Sequence, residues 1–401
     1  MATEQKKKEF SLTKTLASIE AAKKRKLIFK NIFKLIGVGI VIVAIVVVYQ
    51  NRTDLSWAGF TNWYSDKVAL MGIGSGYPVT ITGGTAKSID TFGNAVIELT
   101  DTSFVVLDST GKVAASRQHG FASPNISVTD RYALLYDKKG TSYRIESISK
   151  TVYTSTTKDQ ILNASLSQSG YYAIITKDSN YLDALYIFNK KHENIVSWRS
   201  ASYQLESVTV SHNGRYTAVT GITTENGKIK SAVLVFDCRD TEKKEPIVVC
   251  EFYDTLLLSS EFTSSSKVTA IGDNAAYVID VPDGTYTEVN YQDRAIAGFD
   301  FDYNYGTTLL LSRFSDLHNC SLVFINENGE VISDTDTNLN GGFVLLKGKS
   351  VYTISGNKLF EYNSKGILKN ELEIGSNIKQ CAVLGNNAYL LGTSKIDKIG
   401  L

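Results

Sequence analysis

Cysteine, histidine, tryptophan and proline are all scarce in this chain of 401 residues, with four Cys, four His, three Trp and four Pro. The cysteines at 238, 250, 320 and 381 form no C-x-x-C pair, and a chain of this size needs no covalent staples. Cys238 and Cys250 flank one expected hairpin. With its polar turn running from Cys238 to Pro246, Cys250 falls opposite Leu234, roughly 13 Å along the strand from Cys238 and too far to bridge. His119, His192, His212 and His318 are isolated in sequence, so no zinc pattern exists and no metal site is expected. No G-x-S-x-G elbow is present. "GIGSGY" (72–77) precedes a strand and not a helix, so it makes no phosphate cradle. "DFDYNYG" (300–306) spaces Asp300, Asp302 and Asn304 like a calcium loop, but Tyr305 and Leu311 stand where such loops need Gly and Glu. Helical periodicity is nearly absent after residue 77.

The net charge of +1 hides an asymmetry. Residues 1–34 carry ten Lys/Arg against Glu4, Glu9 and Glu20, so this tail is +7 and the remainder −6. Basic charge confined to a tail excludes a general nucleic-acid footprint. The tail leads into "LIGVGIVIVAIVVVY" (35–49). Counted from Ile32, with Lys34 snorkelling to the headgroups, the run reaches about 27 Å as a helix, close to the roughly 30 Å of a hydrocarbon core. Gln50, Asn51, Arg52 and Thr53 follow without a small-x-small cleavage site, which favours an uncleaved anchor over an export signal. The cation excess before the span keeps the N-terminus in the cytoplasm. The expected organisation is a basic cytoplasmic tail (1–31), a membrane span embedded in the lipid bilayer (32–50), a juxtamembrane segment (51–76) and an extracytoplasmic domain (77–401). In the juxtamembrane segment Leu55, Phe60, Trp63, Tyr64 and Val68 nearly share a helical face, fitting either an interfacial helix that orients the ring or a packing helix that plugs the ring's base.

The large domain repeats one phrase: an aromatic or branched strand, an acid or amide, a short polar turn, a second strand. "FVVLDSTGKVAAS", "LYIFNKKHENIVS", "LVFINENGEVISD" and "LFEYNSKGILKNE" are four of seven copies. The polar residues closing the first strand are Asp108, Glu146, Asn189, Asp237, Asp280, Asn326 and Asn363, and one further step reaches Gly400. A second hairpin precedes each copy, with turns such as "SQSGYY" and "SHNGRY" in which Gly and Asn supply positive φ. Four strands per unit of about 40–45 residues is the pattern of an all-β β-propeller. Eight four-stranded blades are expected, with seven possible if one copy is misread. The last copy lacks its outer strand. "YPVTIT" (77–82) is the orphan that completes it beside Ile396–Ile399, closing the ring and removing open edges.

With a basic tail, a span, an aromatic helix and "GIGSGYPVTITGG" carrying Gly74, Gly76, Pro78 and Val79, the chain resembles an uncharacterised bacterial family of single-pass, membrane-anchored propellers. That resemblance implies no activity. The blades distantly resemble WD40 and quinoprotein repeats. Quinone-dependent dehydrogenases carry a docking Trp in most blades, and only Trp198 lies within this ring, so no cofactor is expected.

Binding residues concentrate on loops held by rigid scaffolds, and Arg and Trp are common interface anchors. The candidates are Arg117, Trp198, Arg199, Arg294 and Arg313. The expected function is a non-catalytic platform for a protein or envelope partner. The alternative is an extracytoplasmic hydrolase or lyase in the ring's channel. Carboxylates converging in the channel favour the enzyme, and an uncharged or plugged channel favours the platform.

Overall fold

The computed structural model describes residues 57–240, 244–313 and 317–401, together with helical residues 30, 31, 34, 35, 37–39, 41, 42 and 45. Most of the expected span at 32–50 and all of the tail up to residue 29 lie outside the described residues. Among the described residues no helix is long and apolar enough to cross a membrane. Helix α1 runs from Trp57 to Ala69, and Leu55 precedes the described part. Phe60, Tyr64 and Val68, at the spacing of one helical face, are exposed.

Among the described residues thirty-two strands form eight four-stranded antiparallel sheets. Seven sheets take four consecutive strands each, over 86–118, 124–156, 161–200, 204–253, 257–290, 295–339 and 344–373. The eighth takes the last three strands, 380–400, and adds Val79–Thr80 as its outer strand. Val79 pairs with Ile396 and Thr80 with Lys395, so the two ends of the ring share one sheet as the orphan strand implies.

Each blade buries both faces. Eight hydrophobic clusters occupy the eight junctions between neighbours. One joins Val208 and Val219 to Ile187 and Leu185 across blades 3 and 4, and another joins Val96 and Val105 to Tyr389 and Ile396 across blades 1 and 8. In blade 6, Leu309 and Leu311 face blade 5 while Leu310 faces blade 7. Strand side chains alternate between faces, so burial on both sides requires continuous apolar runs such as "TTLLLS" (307–312). In five blades the first strand bulges near its start, at Lys87, Leu162, Glu206, Leu258 and Ala297. Bulges increase local twist, which splayed blades around an axis need.

The repeat has a physical origin at the turn between third and fourth strands. Oδ1 of Asp108, Asn189, Asn326 and Asn363 accepts the backbone amides two and four residues on, at 2.8–3.1 Å. The residue three positions on must then adopt positive φ. It is Gly111, Gly329 and Gly366 in three blades and His192 (φ 66°) in the fourth, whose ring stacks on Tyr153 at 4.0 Å. At the blade-4 hairpin the register differs from the expected one. Cys250 lies opposite Val233, not Leu234, because the loop extends through Ile247, whose amide bonds the Val235 carbonyl. All four cysteines are buried free thiols.

Candidate functional site

The five candidate residues divide by how far their charge or ring is already used. Arg117 is consumed. Its Nε lies 2.9 Å from Glu146 Oε2 and its side chain is 16% exposed, while its terminal nitrogens donate to the carbonyls of Ser147 and Ile148. Glu146 is fully buried, takes Arg144 on its other oxygen at 3.1 Å and accepts the Thr151 hydroxyl. At blade 2 the closing residue of the repeat fixes a seam in place of capping the turn. Trp198 is also structural. Its ring packs against Phe236 of blade 4, and its Nε1 donates to Glu245 at 3.0 Å. Arg199 is half exposed and pairs with Asp178 at 3.1 Å. The amide of Asn180, that of Tyr181 and the Arg199 guanidinium hold the Asp178 carboxyl below its ordinary pKa.

Arg294 and Arg313 are brought together on blade 6. With Gln292, Asp293, Asp334 and Asp336 they line a cleft of roughly 590 Å³. The outer strand Val331–Leu339 presents Asp334 and Asp336 on one side, two residues apart. Arg294 grips Asp334 with two parallel bonds of 2.9 and 2.8 Å and is only 10% exposed. Such forks are strong and geometrically specific. Arg313 is 69% exposed, and the Asp336 carboxylate lies at 4.0 Å with its other oxygen accepting Ser321 Oγ at 2.7 Å. The floor is a turn in which Gln292 and Asp293 both hold positive φ, 56° and 61°. Non-glycine residues in this region cost of order 1 kcal/mol each and persist only when the surroundings enforce them. Here the Gln292 amide bonds Asn290 Oδ1 and Arg294 Nε bonds the Tyr291 carbonyl. The result is one fixed guanidinium, one free to swing, and a rim of three carboxylates.

The channel is the second feature, and its lining is charged. A cavity of roughly 380 Å³ is bordered by Asp90, Asp300, Asp302, Lys347, His212 and Tyr303 among others, and Glu261 joins an adjoining part. Burial pushes the pKa of Asp300 and of Glu261 up to about 7, that of Asp90 is raised too, and the Asp90 charge adds to the shift at Asp300. Asp90 is open to water yet surrounded by protein atoms, as a channel wall is. The carboxylates also brace the ring. Asp300 and Asp302 accept the amides of Leu346 and Gly348 in blade 7 at 2.7 and 2.6 Å, and Glu261 accepts the Thr209 hydroxyl of blade 4. His212 from blade 4 stacks on Tyr303 from blade 6 at 3.6 Å, narrowing one mouth. Asp300 and Asp302 mimic a calcium loop in sequence because strand spacing puts both on one side. Among the described residues no group of three His, Cys, Asp or Glu side chains is placed to hold a metal ion.

Sequence reasoning missed two groups. Glu98 is 1% exposed on blade 1 with no partner at Oε1, and burial raises its pKa to about 7. An acid within an apolar strand, "AVIELT", was the available signal. The His212–Tyr303 stack joins residues 91 positions apart and left none.

Several solved propellers superpose on this ring. The Sqt1 chain from Chaetomium thermophilum, solved bound to the N-terminus of ribosomal protein L10, aligns at a TM-score of 0.57 with 11% identity, over 80% of this chain and 99% of that one. The C-terminal WD40 domain of Sif2 aligns at 0.55 with 10% identity, over 80% and 99%. BamB from Moraxella catarrhalis aligns at 0.49 with 11% identity, over 80% and 100%. At such identities Sqt1 and Sif2 establish the shared fold and nothing further. No curated protein matches the sequence. A family profile covers residues 75–401, the whole ring and its lead-in, and the chain therefore belongs to the family of unknown function DUF5711.

Proposed function

We propose that this protein is a membrane-anchored, extracytoplasmic interaction platform, held by residues 32–50 with its basic tail 1–31 in the cytoplasm. It binds a protein or envelope partner through loops on the rigid ring and performs no chemistry. The observation that carries this reading is the blade-6 cleft. Arg294 is locked by Asp334 while Arg313, 69% exposed, keeps a charge that the fold does not consume. A partner carboxylate meeting Arg313 would gain a charge-assisted contact at the edge of a preformed concavity. Sqt1, which shares the fold, was solved bound to the N-terminus of ribosomal protein L10, which agrees with a protein partner. The test is a photo-crosslinking side chain placed at Arg313 in the full-length protein in its own membrane, with position 117 as the comparison. A discrete adduct at 313 and none at 117 is expected. No adduct at 313, or the same species at both positions, contradicts the reading.

The channel favours a second reading, a hydrolase or lyase. Carboxylates with pKa values near 7 beside a histidine meet the criterion for acid–base chemistry. We rank it second because Asp300, Asp302 and Glu261 already bond neighbouring blades. Asp300→Asn separates the two. Lost cellular function with the fold and the Arg313 adduct intact favours the channel.

A further inference from the structure

We infer that one face of the ring, the one bearing the turns between first and second strands, rests on an anionic bilayer surface. This rests on the anchoring reading above.

Three independent features point to that face. The first is attachment. The end of α1 is fastened to it at blades 1 and 2. Asp66 Oδ1 accepts Ser147 Oγ at 3.0 Å and the amide and hydroxyl of Ser149 at 2.8 and 2.6 Å. Lys112 Nζ donates to the carbonyls of Ala69 and Met71, closing the helix end. Ala69 and Leu70 pack on the blade 1–2 core beside Phe92, Ala95 and Ala133, at the turn ends of those strands. Between the expected end of the span and Ser65 lie fourteen residues, eight of them helical, which reach at most about 36 Å. The face that holds Ser65 stays within that distance of the bilayer.

The second feature is charge. Around this mouth the eight first-to-second-strand turns and the strand residues flanking them carry Arg131, Arg215, Lys267, Lys347 and Lys349 against Asp130 and Asp302. Arg215 and Lys267 are partly neutralised by Asp237 and Asp280, while Lys347 and Lys349 are exposed. On the opposite face the described second-to-third-strand loops and the strand residues flanking them set seven cations against six carboxylates, a nearly even count. Basic residues beside a membrane are attracted by anionic headgroups within about a Debye length.

The third feature is apolar exposure next to the attachment. Val68, Met71 and Ile73 are 43%, 63% and 90% exposed. Apolar side chains flanked by lysines are the composition of segments that lie in the headgroup region. Together these features leave the opposite face, with the blade-6 cleft near it, turned toward partners.

The test uses the full-length protein in vesicles. The native cysteines are buried, so a single surface cysteine takes a fluorophore selectively. Asn386→Cys labels a turn on the basic face, and Ser179→Cys labels a loop on the opposite one. Headgroup-nitroxide lipid is the quencher, in phosphatidylcholine with and without 30% phosphatidylglycerol (about a third anionic, as in charged membranes). The label at 386 is expected to be quenched severalfold more than that at 179 when phosphatidylglycerol is present. The difference should shrink with Lys347→Glu plus Lys349→Glu. Equal quenching, or stronger quenching at 179, in protein that floats with the vesicles overturns the face assignment and leaves the anchor standing. Protein that fails to float with the vesicles overturns the anchor, and this inference with it.

Discussion

The seam between blades 1 and 2 and the cleft on blade 6 are built from the same chemistry, arginine against carboxylate, and they end in opposite states. At the seam Glu146 is fully buried with two guanidiniums on it, and both are bonded further to backbone carbonyls. At the cleft one pair is closed and the other, Arg313 with Asp336, is open to water at 4.0 Å. An arginine on a loop is therefore a binding candidate only after its internal partners are counted. The seam contributes to holding the ring together, and the cleft leaves charge available to something outside it.

The largest expected effect comes from breaking the seam. Glu146→Ala leaves two mostly buried guanidiniums without their carboxylate, and removing one partner of a buried ion pair typically costs 3–5 kcal/mol. Thermal or denaturant unfolding should show a loss of about that size. A change below 1 kcal/mol would mean that the seam is wetter than its geometry implies. A smaller effect comes from Glu98, which is buried like Glu146 but has no cation. Its folded pKa, about 7, lies above the ordinary 4.5, so the folded state holds the proton more tightly than the unfolded chain. Its stabilising share is complete below pH 4.5 and is lost as pH rises toward 7. Glu98→Gln should raise the melting temperature by a few degrees at pH 8 and leave it unchanged at pH 4.5. An equal shift at both pH values would point to packing in place of titration. The smallest effect on stability is expected from Arg313→Glu, within about 0.5 kcal/mol as for other exposed positions, although the partner captured at position 313 should no longer co-purify with this variant.

The architecture was legible because the repeat is written by local chemistry. A hairpin turn that needs an oxygen acceptor and, three residues later, positive φ recurs as D-x-x-G or N-x-x-G whatever surrounds it, and the missing outer strand of the last blade pointed to Val79–Thr80. The site was not legible in the same way. Whether Arg117 is spent depends on Glu146, 29 residues away in the next blade, and whether Arg294 is spent depends on Asp334, 40 residues away. No spacing rule links either pair. The Cys250 register failed by one residue because one loop residue more or fewer looks alike in sequence. The channel carboxylates were visible as "DFDYNYG", but only the ring brings Asp90 from blade 1 close to Asp300 from blade 6.

Arginine reactivity tests the central contrast most directly. The full-length protein would be treated with phenylglyoxal, once purified and once in its native membrane, and the modified positions read by mass spectrometry. Arg313 should react quickly when purified and slowly in the membrane, with Arg117 and Arg294 unreactive in both. Reaction of Arg117 at the rate of Arg313, or no protection of Arg313 in the membrane, would contradict the account.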